Sequence, residues 1–163
     1  MASSRFDVND PDLRESFLRI EVPPALDRLD PASCARWGGM RPQEMVEHLI
    51  WALEISTGQA RTECPVPEAV LPRMKKFLYD NRPTPQGFMN PALVSGLPPL
   101  RFESLSQAKV SFARELGAFL DRQPSDGTLH THPIFGLIGY DEWHRSHYKH
   151  MHHHLLQFGL IEG

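Results

Sequence analysis

The 163 residues carry seventeen basic and twenty acidic side chains, a formal charge of −3, and no basic cluster of the kind that tracks a phosphate backbone, which excludes nucleic acid as an expected partner. This length suits one compact domain, residues 1–163, able to bury roughly 70% of the surface that the unfolded chain exposes. Cys34 and Cys64 are too few for a disulfide scaffold, no eighteen apolar residues run together, and Met1 to Asp7 lacks an apolar signal core, so a soluble, unexported, cytoplasmic protein without a membrane partner is expected.

The first helix is expected after Asp10, an N-cap followed by Pro11 at the first helical position, with Leu13, Phe17 and Ile20 on its apolar stripe. Pro23-Pro24 should bend or end it. A second helix is expected from Pro42 to about Thr57, stopped by Gly58, with Met45, His48, Leu49, Ala52 and Ile55 facing inward. That register buries His48 and leaves Glu44, Glu47 and Glu54 on a solvated face, with Glu47 a weak candidate for holding a ligating ring from behind.

Residues 61–103 contain eight prolines, which forbids long regular elements apart from a short helical piece around Glu68 to Tyr79. This stretch reads as a long ordered crossover or a lid. Ser104 and Gln107 have capping-box spacing at the start of a third helix, whose stripe is Leu105, Ala108, Phe112, Leu116 and Phe119 and whose stop falls at residues 123–127. The fourth helix should start at Gly139 or Tyr140, with Asp141 and Glu142 at its positive end, and run to Phe158-Gly159. No segment reads as a convincing strand, so the expected fold is all-α, an antiparallel four-helix bundle with a long Pro-rich crossover.

Eight of the nine histidines lie between His130 and His154, six of them on the last helix at His144, His147, His150, His152, His153 and His154. That helix carries two competing stripes: Tyr148, Met151, Leu155 and Phe158 are apolar, whereas Trp143, His147, His150, His154 and Gln157 are polar where a core should be apolar. Burying several unpartnered imidazoles would cost on the order of 1–3 kcal/mol each, so these rings are expected to line a cavity or bind a metal. His150 and His154, four residues apart, share one helix face at chelating distance, and a third ligand must come from elsewhere, with His48 the one histidine outside the region. His153 also has chelating spacing from His150 but points about 100° away from His154. His147 lies two turns, about 10 Å, from His154 and is a poor simultaneous ligand. His152 falls off both core stripes and reads as a solvated surface residue, while His132 serves the turn before the last helix or faces the cavity. Leu155 to Gly159 continue the helix beyond the histidine run, which argues against an artificial tag. Trp37 and Trp143 read as packing residues, and Cys34 and Cys64 sit in Pro-flanked loops without a histidine nearby in sequence.

The segments Arg36-Trp37-Gly38-Gly39-Met40-Arg41-Pro42 with Glu47-His48-Leu49, then His132-Pro133-Ile134-Phe135-Gly136, Glu142-Trp143 and His150 to Gly159, occur in an order that resembles the DinB-like superfamily, in a branch carried as a domain of unknown function. The resemblance implies a metal-binding four-helix bundle in which one histidine of the second helix and an HxxxH pair of the last hold a divalent metal, often zinc or nickel. By motif these ligands are His48, His150 and His154. Three neutral histidines leave a coordination position open, the arrangement of a catalytic site. Relatives that transfer or isomerise with thiols imply metal-dependent, thiol transferase-like chemistry on a small electrophile, with a low-molecular-weight thiol as co-substrate. Hydrolysis is the other chemistry, and a non-catalytic metal or small-molecule binding protein or a metal-free structural bundle are the alternatives. Relatives often pair through bundle faces, so a homodimer also stands as an expectation.

Overall fold

A computed structural model describes residues 5–122 and 126–163; the leader reading at residues 1–4 and part of the helix stop at 123–127 lie outside them. The chain is mostly helical, with one small two-stranded antiparallel sheet. Helix α1 (Pro11–Ser16) opens where expected, the Asp10 carboxylate accepting from the Leu13 amide at 3.0 Å. Pro23 and Pro24 do not end the helical path. A π-helical segment (Phe17–Glu21) precedes them and hands over to α2 (Val22–Asp27), its wider turn accommodating two residues that donate no amide hydrogen bond. The extra residue per turn rotates the face, so Ile20 is 64% exposed instead of inward, and Leu18 and Val22 are buried in its stead.

Helix α3 (Pro42–Ser56) closes through Thr57, and Gly58 follows at φ +80°, as its position after the last apolar turn predicts. Met45, His48, Leu49 and Ile55 are buried, with Ala52 partly so. Glu47 is a correction: it is buried, its carboxylate accepting from the Arg101 amide at 2.5 Å and from Gln43 Nε2 at 3.1 Å. It therefore anchors the end of the crossover to α3 and makes no contact that would orient His48.

The crossover is ordered by short pieces: a 3₁₀ turn (Glu68–Val70), helix α4 (Leu71–Lys75) and two further 3₁₀ turns (Lys76–Leu78 and Pro91–Leu93). Helix α5 (Leu105–Leu120) is capped by Ser104, whose hydroxyl accepts from the Gln107 amide at 3.2 Å; the Gln107 side chain reaches the Glu103 amide, one residue short of the reciprocal box. Its whole expected stripe is buried.

Before the last helix the absence of strands does not hold. Strand β1 (His130–His132) pairs with β2 (Gly136–Ile138), with His132 opposite Gly136. The intervening Pro133-Ile134-Phe135 turn hid the hairpin, since three-residue strands are too short to show alternation. Gly136 sits at φ +72° with Leu71 Cδ1 3.0 Å from where a Cβ would lie, so it provides both the turn and the close approach of α4.

Helix α6 (Tyr140–Gln157) follows, and α3 packs along α5 and against α6 and β1. Tyr148, Met151, Leu155 and Phe158 bury the apolar stripe. Arg14, only 3% exposed, ties α1 to α6 by donating to Val8 O at 2.6 Å, Asp141 Oδ1 at 2.7 Å and His144 Nδ1 at 3.1 Å. Because Nδ1 of His144 accepts, its Nε2 carries the proton and donates to Glu15 at 3.0 Å. Among the described residues no helix is long and apolar enough to cross a membrane.

Candidate metal centre and cavity

Helix α3 delivers His48 and helix α6 delivers His150 and His154 to one point. Their ligand atoms all lie within 4.8 Å of one another, with His48 Nε2 2.8 Å and His154 Nε2 3.1 Å from His150 Nε2. The three residues singled out by motif and spacing are therefore the three brought together. His48 and His154 are buried, and His150 keeps partial exposure.

Proton bookkeeping tests whether this donor set fits a cation. Gln157 Nε2 donates to Trp37 O at 3.0 Å, which fixes the amide so that Oε1 faces His154 Nδ1 at 2.7 Å. Nδ1 of His154 must therefore carry the proton, leaving a lone pair on Nε2. Burial depresses all three pKa values, that of His48 to about 4, with His154 and His150 also driven well below 6.5, so the rings are neutral. A single proton on His150 Nε2 can serve one of the two short contacts, and the other is left with lone pair against lone pair or N–H against N–H. A divalent cation at the focus satisfies three Nε2 lone pairs at once, and three imidazoles are a ligand set that zinc, nickel and related ions accept.

Gln157 was visible as the last member of the polar stripe and within the His150 to Gly159 segment, with no role of its own. Its amide makes the contact that metal-binding histidines regularly make from their far nitrogen. It also joins two sequence segments: Arg36 N donates to Gln157 O at 2.7 Å, and Gly38 adopts φ +75° where a Cβ would meet Gln157 Nε2 at 2.9 Å. Gly159, at φ +65°, gives room to the Arg36 guanidinium, which would lie 2.8 Å from a Cβ there. The tryptophan-glycine turn and the glutamine at the end of α6 are thus two halves of one clasp behind His154. Gln157→Leu is expected to weaken zinc binding about 10- to 100-fold, measured by competition with a chromophoric chelator, with the helical signal unchanged.

The remaining histidines separate cleanly from the triad. His147 is buried, with Nε2 2.9 Å from Ser56 Oγ; since that hydroxyl donates to Leu53 O, the ring donates to it. His153 is half-buried, edge-on to Trp37, with Nδ1 3.3 Å from Thr84 O. His152 is a correction: it is 7% exposed and packs against Phe6 and Phe17, because the N-terminal segment covers a face of α6 that helical periodicity left to solvent. His132 does both things expected of it, accepting the Ile134 amide at Nδ1 within the hairpin turn and lining the cavity.

Beside the triad lies a cavity of about 670 Å³, within the range of small-molecule sites. Its walls include Trp51 of α3, Phe77 and Phe88 of the crossover, Phe135 of the hairpin and Trp143 of α6, with His48, His150 and His154 at one side. The crossover therefore forms one wall of the site. It is secured to α6 by Lys149, 2% exposed, which donates to Arg82 O at 2.8 Å and stands 3.7 Å from the Phe77 ring centroid. Burial brings the Lys149 ammonium down to about 8. Sequence reasoning missed this residue, which lies between histidines and carries no pattern of its own. Cys34 is exposed and Cys64 half-buried, and neither lines the cavity. No family model, curated protein or solved structure matches the chain.

Proposed function

We propose that this chain is a DinB-like helical bundle that holds a divalent transition metal, zinc or nickel, on His48, His150 and His154, and uses it in thiol transferase-like chemistry on a small electrophile. The observation that carries the reading is the convergence of three neutral Nε2 atoms at the edge of an apolar cavity. An ion held by three imidazoles keeps an open position, from which it acts as a Lewis acid and lowers the pKa of an incoming thiol or water. Around it, Gln157 holds His154 in the ligating tautomer, and burial keeps His48 neutral at physiological pH. Trp51, Phe77 and Phe135 exclude water and bury the body of an organic substrate. Hydrolysis is the second reading, since the same Lewis-acid site serves water equally well.

Protein purified without an affinity tag and titrated with zinc or nickel is expected to bind one equivalent, by elemental analysis after desalting. Less than about one-tenth equivalent would favour a metal-free structural bundle. Metal-dependent turnover of a low-molecular-weight thiol with an aryl halide, lost in His154→Ala, supports the transferase. One equivalent of metal with no turnover of thiol or ester substrates would leave a binding protein.

A further inference from the structure

Opposite the nitrogen triad's own chemistry, the cavity wall holds a second polar device. Ser146 is buried one helical turn before His150, so Ser146, His150 and His154 share a single face of α6. Its Oγ lies 3.1 Å from His132 Nε2. The direction of that hydrogen bond follows from the other side of the ring. Ile134 donates its amide to His132 Nδ1 at 3.0 Å, so Nδ1 holds a lone pair and the proton of the neutral imidazole sits on Nε2. His132 therefore donates to the serine, the reverse of what a general base would do. The hydroxyl proton is left over, and among the described residues Ser146 Oγ has no hydrogen-bond partner besides His132.

Trp143, three residues earlier on α6, also lines the cavity, but its Nε1 is sealed away from solvent and is no donor to a ligand there. The unmatched Ser146 hydroxyl therefore defines what a ligand must offer, because a buried unmet donor costs about 1–3 kcal/mol until an acceptor arrives. Ser146 and His132 both line the cavity together with Phe135 and Trp143, whose rings flank His132 at 4.4 and 4.8 Å. Next to Ser146 the neighbours are apolar rings, His132 is neutral and the Lys149 ammonium is turned to Asp80 and Arg82, which favours an uncharged acceptor there; the cationic side chains of the cavity wall, Arg73 and Arg82, belong to the crossover.

We infer that Ser146, aligned by His132, is a specificity-determining donor for the cavity's ligand, which is an apolar or aromatic molecule bearing an uncharged hydrogen-bond acceptor such as a ketone carbonyl. One turn of helix separates Ser146 from His150, so the acceptor sits roughly 6 Å along the molecule from the group presented to the histidines. The assignment deepens the proposed function and rests on that reading only in taking the cavity as the substrate site.

Benzophenone and diphenylmethane, which differ by a carbonyl in place of a methylene, are suitable probes, and neither needs a metal. Their binding is read by quenching of Trp51 and Trp143, which line the cavity. Ser146→Ala is expected to weaken benzophenone roughly five- to tenfold relative to diphenylmethane, the size of one hydrogen bond. His132→Phe keeps an aromatic ring between Phe135 and Trp143 but loses the alignment, and is expected to lower the same ratio by a smaller factor. A merely structural role would weaken both probes equally. In the unsubstituted protein the carbonyl stretch of bound benzophenone should move to lower wavenumber than in an apolar solvent, a readout that requires no variant. An unshifted band, an unchanged ratio in Ser146→Ala, or binding of neither probe overturns the inference. Failure of the metal reading shows separately, as absent zinc in protein that still discriminates the probes.

Discussion

His150→Ala is expected to lower zinc affinity at least about 100-fold, the largest effect of any single substitution at the centre. His150 Nε2 is the atom between the other two, 2.8 Å from His48 Nε2 and 3.1 Å from His154 Nε2, and without it the remaining pair belongs to different helices. Two imidazoles from α3 and α6 then bind without the pre-organised i, i+4 face that makes the site a chelate. His152→Ala is the matching control. Its ring is buried against Phe6 and Phe17, so truncation destabilises the fold but leaves zinc affinity within about twofold. His153→Ala settles the ligand set: with its ring against Trp37 and Nδ1 near Thr84 O, it should also leave affinity nearly unchanged, whereas a large loss there with affinity retained in His154→Ala would replace His154 by His153 in the centre. Competition titration against a chromophoric chelator measures all three.

How much of this was readable beforehand depends on the range of the interaction. The triad was legible because helix periodicity places His150 and His154 on one face, and because only one other histidine exists outside that region. Helices α3, α5 and α6 were legible for the same reason, each having a start signal, a stripe and a stop within its own sequence. Local patterns fail where the partner is remote. His152 was assigned to solvent because nothing in α6 indicates that Phe6 covers it, and Glu47 because nothing in α3 indicates that the Arg101 amide, far along the chain, needs an acceptor. The double proline misled in another way: a bend or an end was expected, yet the helical path continues because a π-helical turn absorbs the missing donors, and it shifts Ile20 outward. The cavity was the least legible feature, since its walls come from the crossover, the hairpin and helices α3 and α6, which only the fold brings together.

The neutral state of so many rings has a consequence for stability. Burial lowers the pKa of His132 to about 3 and those of His48 and His152 to about 4, from 6.5 in the unfolded chain. Below pH 6.5 the unfolded chain takes up protons that the folded one refuses, so unfolding is favoured as pH falls. Stability is therefore fully present above pH 6.5 and lost progressively as pH falls from there toward 4 and 3. Each of these three groups costs about 2 kcal/mol between pH 7 and pH 5, which together approach the whole stability of an ordinary domain. Urea unfolding in the presence of a chelator is expected to show the midpoint collapsing over that interval. His132→Phe, which keeps an aromatic ring between Phe135 and Trp143, should flatten the dependence by one proton. A midpoint constant from pH 7 to pH 5 would mean that these rings take up protons in the folded state as readily as in the unfolded chain, and a protonated His48 could not serve as a ligand.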